Sequence, residues 1–176
     1  MSDLRVGSNE RVVLSPGSEQ FREYYQQVRP RTAREVRDIL GLSDETAKAP
    51  REQRTFRKRP AEPLAAVSVE ALYSEDQRVR ARALHDTSNA LEHYVFDMKR
   101  EVLDPDMEVA IERYLEISNV VLSIVHLPDI VEVGAGGTLE IYNTHLVQGK
   151  QILIHGDGKI ICAGVLKVDV DSIIGD

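Results

Sequence analysis

The sequence is short of cysteine, aromatic side chains and long apolar runs. It has one cysteine, no tryptophan, and only 5% aromatic residues. A single cysteine excludes an internal disulfide framework, so we expect Cys162 to be a small buried hydrophobe. No apolar run approaches the ~18 residues of a membrane span, and the first residues lack the apolar core of a secretory signal. We therefore expect a cytoplasmic protein without a membrane span.

With few aromatic residues, the core has to be built from Val, Ile and Leu. Hydrophobic residues make up 42% and charged residues 29% of the 176 residues. This is the composition of a globular protein and not of a disordered chain. The length suits about one ordinary domain.

Charge is unevenly distributed along the chain. The net charge is −7, yet residues 22–60 hold eleven Lys and Arg against six Asp and Glu. The sequence predicts a basic, disordered linker over 43–66, because this stretch has little to bury. Its cluster of basic residues is Arg51, Arg54, Arg57, Lys58 and Arg59. Binding of nucleic acid or an anionic surface through this cluster is one alternative function. The acidic remainder of the chain opposes it, so a protein partner is favoured.

The pattern before the linker predicts a flexible arm and a helical hairpin. Two short apolar pieces interrupted by turn residues over 1–17 are typical of a loosely ordered arm. Phe21, Tyr24 and Tyr25 have the i, i+3, i+4 spacing of one helix face and predict a docking surface on a hairpin spanning 18–42.

The pattern after the linker predicts a helical region over 67–118, with its longest helix at about 75–102. That helix carries polar residues spaced by four, among them His85, Asn89 and His93. Such spacing resembles metal-ligand spacing. The stripe lies largely opposite the apolar seam, however, which is typical of a solvated face. We predict no metal and no cofactor.

The last third, 119–176, changes to a β-branched composition with an internal repeat of 21 residues. Val131 aligns with Ile152, and Ile152 aligns in turn with Ile173. This period resembles the architecture of a right-handed parallel β-helix, a β-solenoid, of about 2–3 coils. The predicted fold class is therefore α+β, with a helical N-terminal half followed by this solenoid. An antiparallel β meander or sandwich is the alternative.

The repeat makes a checkable prediction about charged residues. Asp129, Lys150 and Asp171 share one repeat position. In parallel strands about 4.8 Å apart, they should form a ladder of alternating charge. A large separation of Lys150 from both carboxylates would show that the register is wrong.

Apolar residues at the end of the repeat and on its outer positions predict an interaction surface. The outer residues Leu153 and Ile161 replace acidic residues of the preceding repeat, Ile174 stacks on Leu153, and Ile173 belongs to the last repeat. Outward apolar side chains require a cover. Either the helix at 75–102 or another subunit could supply it, so the sequence predicts a homo-oligomer or a protein partner.

No pattern selects a catalytic residue, so an enzyme is the less favoured interpretation. The sequence predicts a structural or interaction protein that self-associates or docks into a larger assembly through its C-terminal β region and N-terminal helices. The alternative is a glycan-binding or glycan-cleaving β-helix protein with Lys167, Asp169 and Asp171 on one outer face.

Overall fold

The computed structural model describes residues 3–42, 66–96 and 104–176 and shows a mixed α/β protein. The chain divides into two compact units. The first combines the residues up to Val28 with Val121–Asp176, and the second spans Arg29–Val120. The predicted basic linker, including Arg51, Arg54, Arg57, Lys58 and Arg59, falls almost wholly outside the described residues.

The first unit is built from short strands rich in Val, Ile and Leu, the residues that suit a pleated and half-buried surface. A 3₁₀ helix, Glu19–Tyr24, lies between the second and third strands. The strands are β1 Leu4–Val6, β2 Arg11–Leu14, β3 Tyr25–Val28, β4 Leu122–His126, β5 Ile130–Val133, β6 Thr138–Tyr142, β7 Leu146–Ile154, β8 Lys159–Ala163 and β9 Lys167–Gly175.

These strands form two sheets. The six-stranded sheet has the order β1-β5-β7-β4-β3, with β9 also paired to β7, and curls into a half-barrel. The three-stranded sheet has the order β2-β6-β8. Among the described residues, β3 with β4 is the one antiparallel pair, and the other pairs are parallel.

Glycines in the turns let neighbouring chain segments approach closely. Gly136 and Gly156 have φ angles of +69° and +54°, a region that glycine adopts without strain. At Gly137 a Cβ atom would lie 2.8 Å from the carbonyl oxygen of Gly7. These turns therefore set the strands of successive repeats directly beside one another.

The 21-residue register predicted from the sequence is confirmed. Val131 pairs with Ile152, and Ile152 pairs with Ile173, both in parallel strands. Lys150 Nζ lies 2.8 Å from Asp129 Oδ1, so the two charges stack as expected. This ion pair lowers the pKa of the Asp129 carboxyl and raises the pKa of the Lys150 ammonium.

The β-solenoid prediction is nevertheless wrong. The strands belong to a half-barrel sheet with an antiparallel member, and to a separate three-stranded sheet. Three of the nine described strands come from residues 4–28 and not from the last third. The alternative of an antiparallel meander is not found either, since nearly all described pairs are parallel.

The predicted helical N-terminal half is also wrong over residues 4–28, where the sequence predicts a flexible arm and the first helix of a hairpin but strands are found. The helical region predicted over 67–118 does contain helices. Leu4–Val6 pairs in parallel with Ile130–Val133, and Arg11–Leu14 pairs with residues 138–141. Within the predicted hairpin, residues 25–28 form a strand. Pairing with distant strands satisfies one side of the backbone of β1 and β2, so this segment is built into the sheets.

The second unit contains helices α1 Ala33–Ile39, α2 Val69–Leu72, α3 Gln77–Phe96 and α4 Pro105–Ile117. Thr32 accepts a hydrogen bond from Glu35 N at 3.1 Å and caps α1, as the capping-box spacing predicts. Leu72, Ala83 and Ala110 form a small core cluster. No helix among the described residues is long and apolar enough to cross a bilayer.

Candidate functional site

The first unit holds all the described strands and is called the β unit below. One ladder of paired residues shows that its two ends differ. Leu4, Val131, Ile152 and Ile173 occupy equivalent positions in β1, β5, β7 and β9. Their side chains are 7%, 0%, 2% and 57% exposed, respectively. The same interior position is therefore buried in the first three strands and open to solvent in the last.

A second ladder in the three-stranded sheet repeats this asymmetry. Leu14 and Ile141 are fully buried, whereas Cys162, the next residue in register, is exposed. The prediction of a buried Cys162 is therefore wrong. The reason is that β8 is an edge strand, and none of the described strands pairs with its outer side.

The aromatic residues predicted to form a docking face pack within the first unit instead. Phe21 and Tyr24 are buried in the hydrophobic core of the β unit, which also contains Leu4. The Tyr25 hydroxyl is 3.0 Å from the hydroxyl of Thr144, so this ring is likewise engaged within the unit. The structure places these rings in the core instead of on a docking face.

The outer apolar residues predicted from the repeat lie in the expected register. Leu153 of β7 pairs with Ile174 of β9, and Glu140 of β6 pairs with Ile161 of β8. Leu153 is partly buried, while Ile161 and Ile174 are exposed. The exposed apolar surface is thus concentrated on the two strands that end the sheets.

Among the described strands, β9 also forms an edge of its sheet. It is nine residues long and pairs with β7 along one side. None of the described strands pairs with its other side. An edge of this kind presents a row of unpaired N–H and C=O groups and is a template for another strand. The β9 edge, meaning residues 167–175 and the side along which none of the described strands pairs with them, is the candidate interaction site.

The far end of the β9 edge is fixed by a histidine held between two carboxylates. His155 Nδ1 lies 3.0 Å from Asp176 Oδ2, and Nε2 lies 3.2 Å from Glu132 Oε1. The Gly156 amide donates a hydrogen bond to Asp176 Oδ1 at 3.0 Å. The hydrogen bond with Asp176 raises the pKa of His155, because the imidazolium can donate from both nitrogens.

Sequence reasoning missed a polar cluster on the three-stranded sheet. Arg11 Nε and Nη2 donate to the two carboxylate oxygens of Glu140 at 2.8 and 2.7 Å. The Tyr142 hydroxyl donates to the same carboxylate at 2.5 Å. The bond from Arg11 lowers the pKa of Glu140, which stays charged although its side chain is buried. Since Arg11 lies 129 positions away, no local pattern pointed to this pair.

The remaining candidates do not assemble into a chemical site. Asn89 Nδ2 is 3.1 Å from His85 Nε2 on the surface of α3. Within residues 3–42, 66–96 and 104–176, no group of three or more His, Cys, Asp or Glu side chains is placed to hold a metal.

The residues of the glycan alternative lie on β9 itself. Asp169 and Asp171 are exposed, and Lys167 Nζ is 3.5 Å from Asp169 Oδ2. They therefore belong to the same strand edge as the apolar residues. The chain matches no protein-family model, no curated protein and no solved structure.

Proposed function

We propose that this protein is a structural interaction protein that binds another polypeptide strand along the β9 edge. The observation that carries the proposal is the exposure of Ile173 at a ladder position that is buried in every preceding strand. A further strand beside β9 would cover this side chain and form backbone hydrogen bonds along the edge. This mode of recognition, strand addition to a sheet edge, combines backbone affinity with side-chain specificity.

The energetics favour a reversible complex. Val168, Ile173 and Ile174 are 47%, 57% and 48% exposed. Covering the exposed halves of three such side chains contributes about 2–5 kcal/mol. About four backbone hydrogen bonds add ~0.5–1.5 kcal/mol each. Association costs about 4–15 kcal/mol, so gain and cost are of similar size.

Acidic residues on the strand restrict which partners pair with it. Asp169 and Asp171 interrupt the apolar positions of β9 and are exposed. Charges on an edge strand oppose indiscriminate strand addition. We therefore expect selectivity for a strand with matching apolar positions and suitably placed charges.

The test uses a labelled synthetic peptide with the sequence of residues 165–176. Fluorescence anisotropy measures its binding to the full chain. We expect saturable binding that Ile173→Lys abolishes, because the substitution places a charge where the added strand would lie. A scrambled peptide is the matched control ligand.

Val109→Lys is the matched control substitution, since Val109 is 45% exposed on a helix of the second unit. It should leave peptide binding unchanged. Absence of binding to the unmodified chain, or equal loss with both substitutions, would overturn the proposal.

A further inference from the structure

The difference between the two ends of the β unit constrains what binds the β9 edge. Resting on the proposed function, we infer that the partner strand is β9 of a second copy, related by a two-fold axis, and that assembly stops at the dimer. Three observations support this inference: the burial of the interior side chains of the first strands, the apolar pattern of β9, and the charges at its two ends.

A two-fold contact between β9 edges closes the assembly at two copies. Leu4 and Leu14, at the start of their ladders, are buried, whereas Ile173 at the end is exposed. Strands β1 and β2 are also edges of their sheets, but their interior side chains are already buried, so the first strands lack the interior apolar surface that head-to-tail stacking on β9 would need. A two-fold contact needs one self-complementary surface, which the β9 edge supplies. We therefore expect a dimer and no filament.

The apolar pattern selects a pairing register. Val168 and Ile173 pair with the buried residues Val147 and Ile152 of β7, and Val170 packs against the hydrophobic core of the β unit. In an antiparallel pair, directly opposite residues point to the same face. Setting Val170 opposite Ile173 of the second copy keeps interior positions together on one face. The same register sets Lys167 opposite Asp176 of the second copy.

The charges at the ends of β9 favour this antiparallel arrangement. Lys167 begins the strand, and Asp176 follows its last residue. Asp176 is anchored by His155 and by the Gly156 amide, so its carboxylate has a fixed position at the edge. Antiparallel pairing brings unlike ends together, whereas parallel pairing would place like charges side by side.

A charge-swap experiment on the full chain tests the inference. In a two-fold dimer, Lys167→Glu places two acidic groups at each end contact, and Asp176→Lys places two basic groups there. Each variant alone should dimerise about tenfold more weakly than the unmodified chain in sedimentation equilibrium. An equimolar mixture should form the mixed dimer with unmodified affinity, since both contacts again join unlike charges.

The mixture also controls for folding, because an unfolded variant cannot restore pairing. Glu112→Lys, an exposed charge reversal on a helix of the second unit, should leave dimerisation unchanged. Failure of the mixture to restore the dimer would overturn the register. Oligomers that grow beyond two copies would overturn closure.

Different experimental results would overturn the two-fold dimer and the proposed function. A chain that is monomeric at all concentrations yet binds the peptide of residues 165–176 would overturn the two-fold dimer and leave strand addition standing. A chain that does neither overturns both.

Discussion

The ladder that runs through β1, β5, β7 and β9 predicts unequal effects for the same substitution at two equivalent positions. We consider Ile152→Ala and Ile173→Ala. Ile152 is 2% exposed, so its truncation should leave a cavity and destabilise the fold by about 2–5 kcal/mol. Ile173 is 57% exposed, so less than half of its side chain is removed from solvent. Water can fill the space left there, and the loss should be about 1 kcal/mol.

Urea denaturation followed by far-UV circular dichroism measures both losses, a suitable probe because the chain has no tryptophan. The comparison is made in dilute solution, where association is negligible. At high concentration the loss for Ile173→Ala should increase, since pairing then buries this side chain. Equal losses in dilute solution would refute the reasoning, because they would show that the last strand is covered in the isolated chain.

Three further predictions concern the packing that holds the β unit. Gly137→Ala should lower stability by about 1–3 kcal/mol, since its Cβ would meet a backbone oxygen at 2.8 Å, whereas Gly17→Ala, with open space around it, should change the urea midpoint little. Thr144→Val should cost about 1–3 kcal/mol in the same assay, because it removes the hydroxyl 3.0 Å from that of Tyr25. Burial lowers the pKa of His145, whose Nδ1 accepts a backbone hydrogen bond at 2.9 Å. The unfolded chain therefore binds this proton more readily, so the stability contributed by His145 is present above about pH 6.5 and lost as the pH falls below it. Urea midpoints measured across this range should depend less on pH in His145→Asn than in the unmodified chain.

The parallel register was predictable because the sequence of the last third repeats every 21 residues. Val131, Ile152 and Ile173 recur at a fixed period, and a repeat of that kind stacks equivalent residues. The start of α1 was predictable for a similar reason, since the Thr32 and Glu35 pair that caps it lies within four residues. Both features depend on short separations along the chain.

The half-barrel was not predictable from the same patterns. Strand β1 has three residues, too few for a period of two to be distinguished from chance, and its partner β5 lies more than a hundred positions away. Strand β3 joins β4 in antiparallel fashion at a comparable distance. The architecture depends on which distant short strands pair, and local β-propensity does not determine that pairing.

The candidate site was predictable in part. The register correctly placed Ile161, Ile173 and Ile174 at the end of their ladders, where no later strand follows among the described ones. The spacing of Phe21 and Tyr24 correctly indicated an apolar face, but spacing does not tell whether such a face meets the protein's own core or a partner. Here it meets the core.

Hydrogen exchange of the β9 amides as a function of protein concentration tests the central claim most directly. If a second strand adds to the β9 edge, protection of residues 167–175 should rise with concentration. Protection of β5, which is internal to the sheet, should stay constant. Protection of β9 that is independent of concentration, measured up to the solubility limit, would contradict the account.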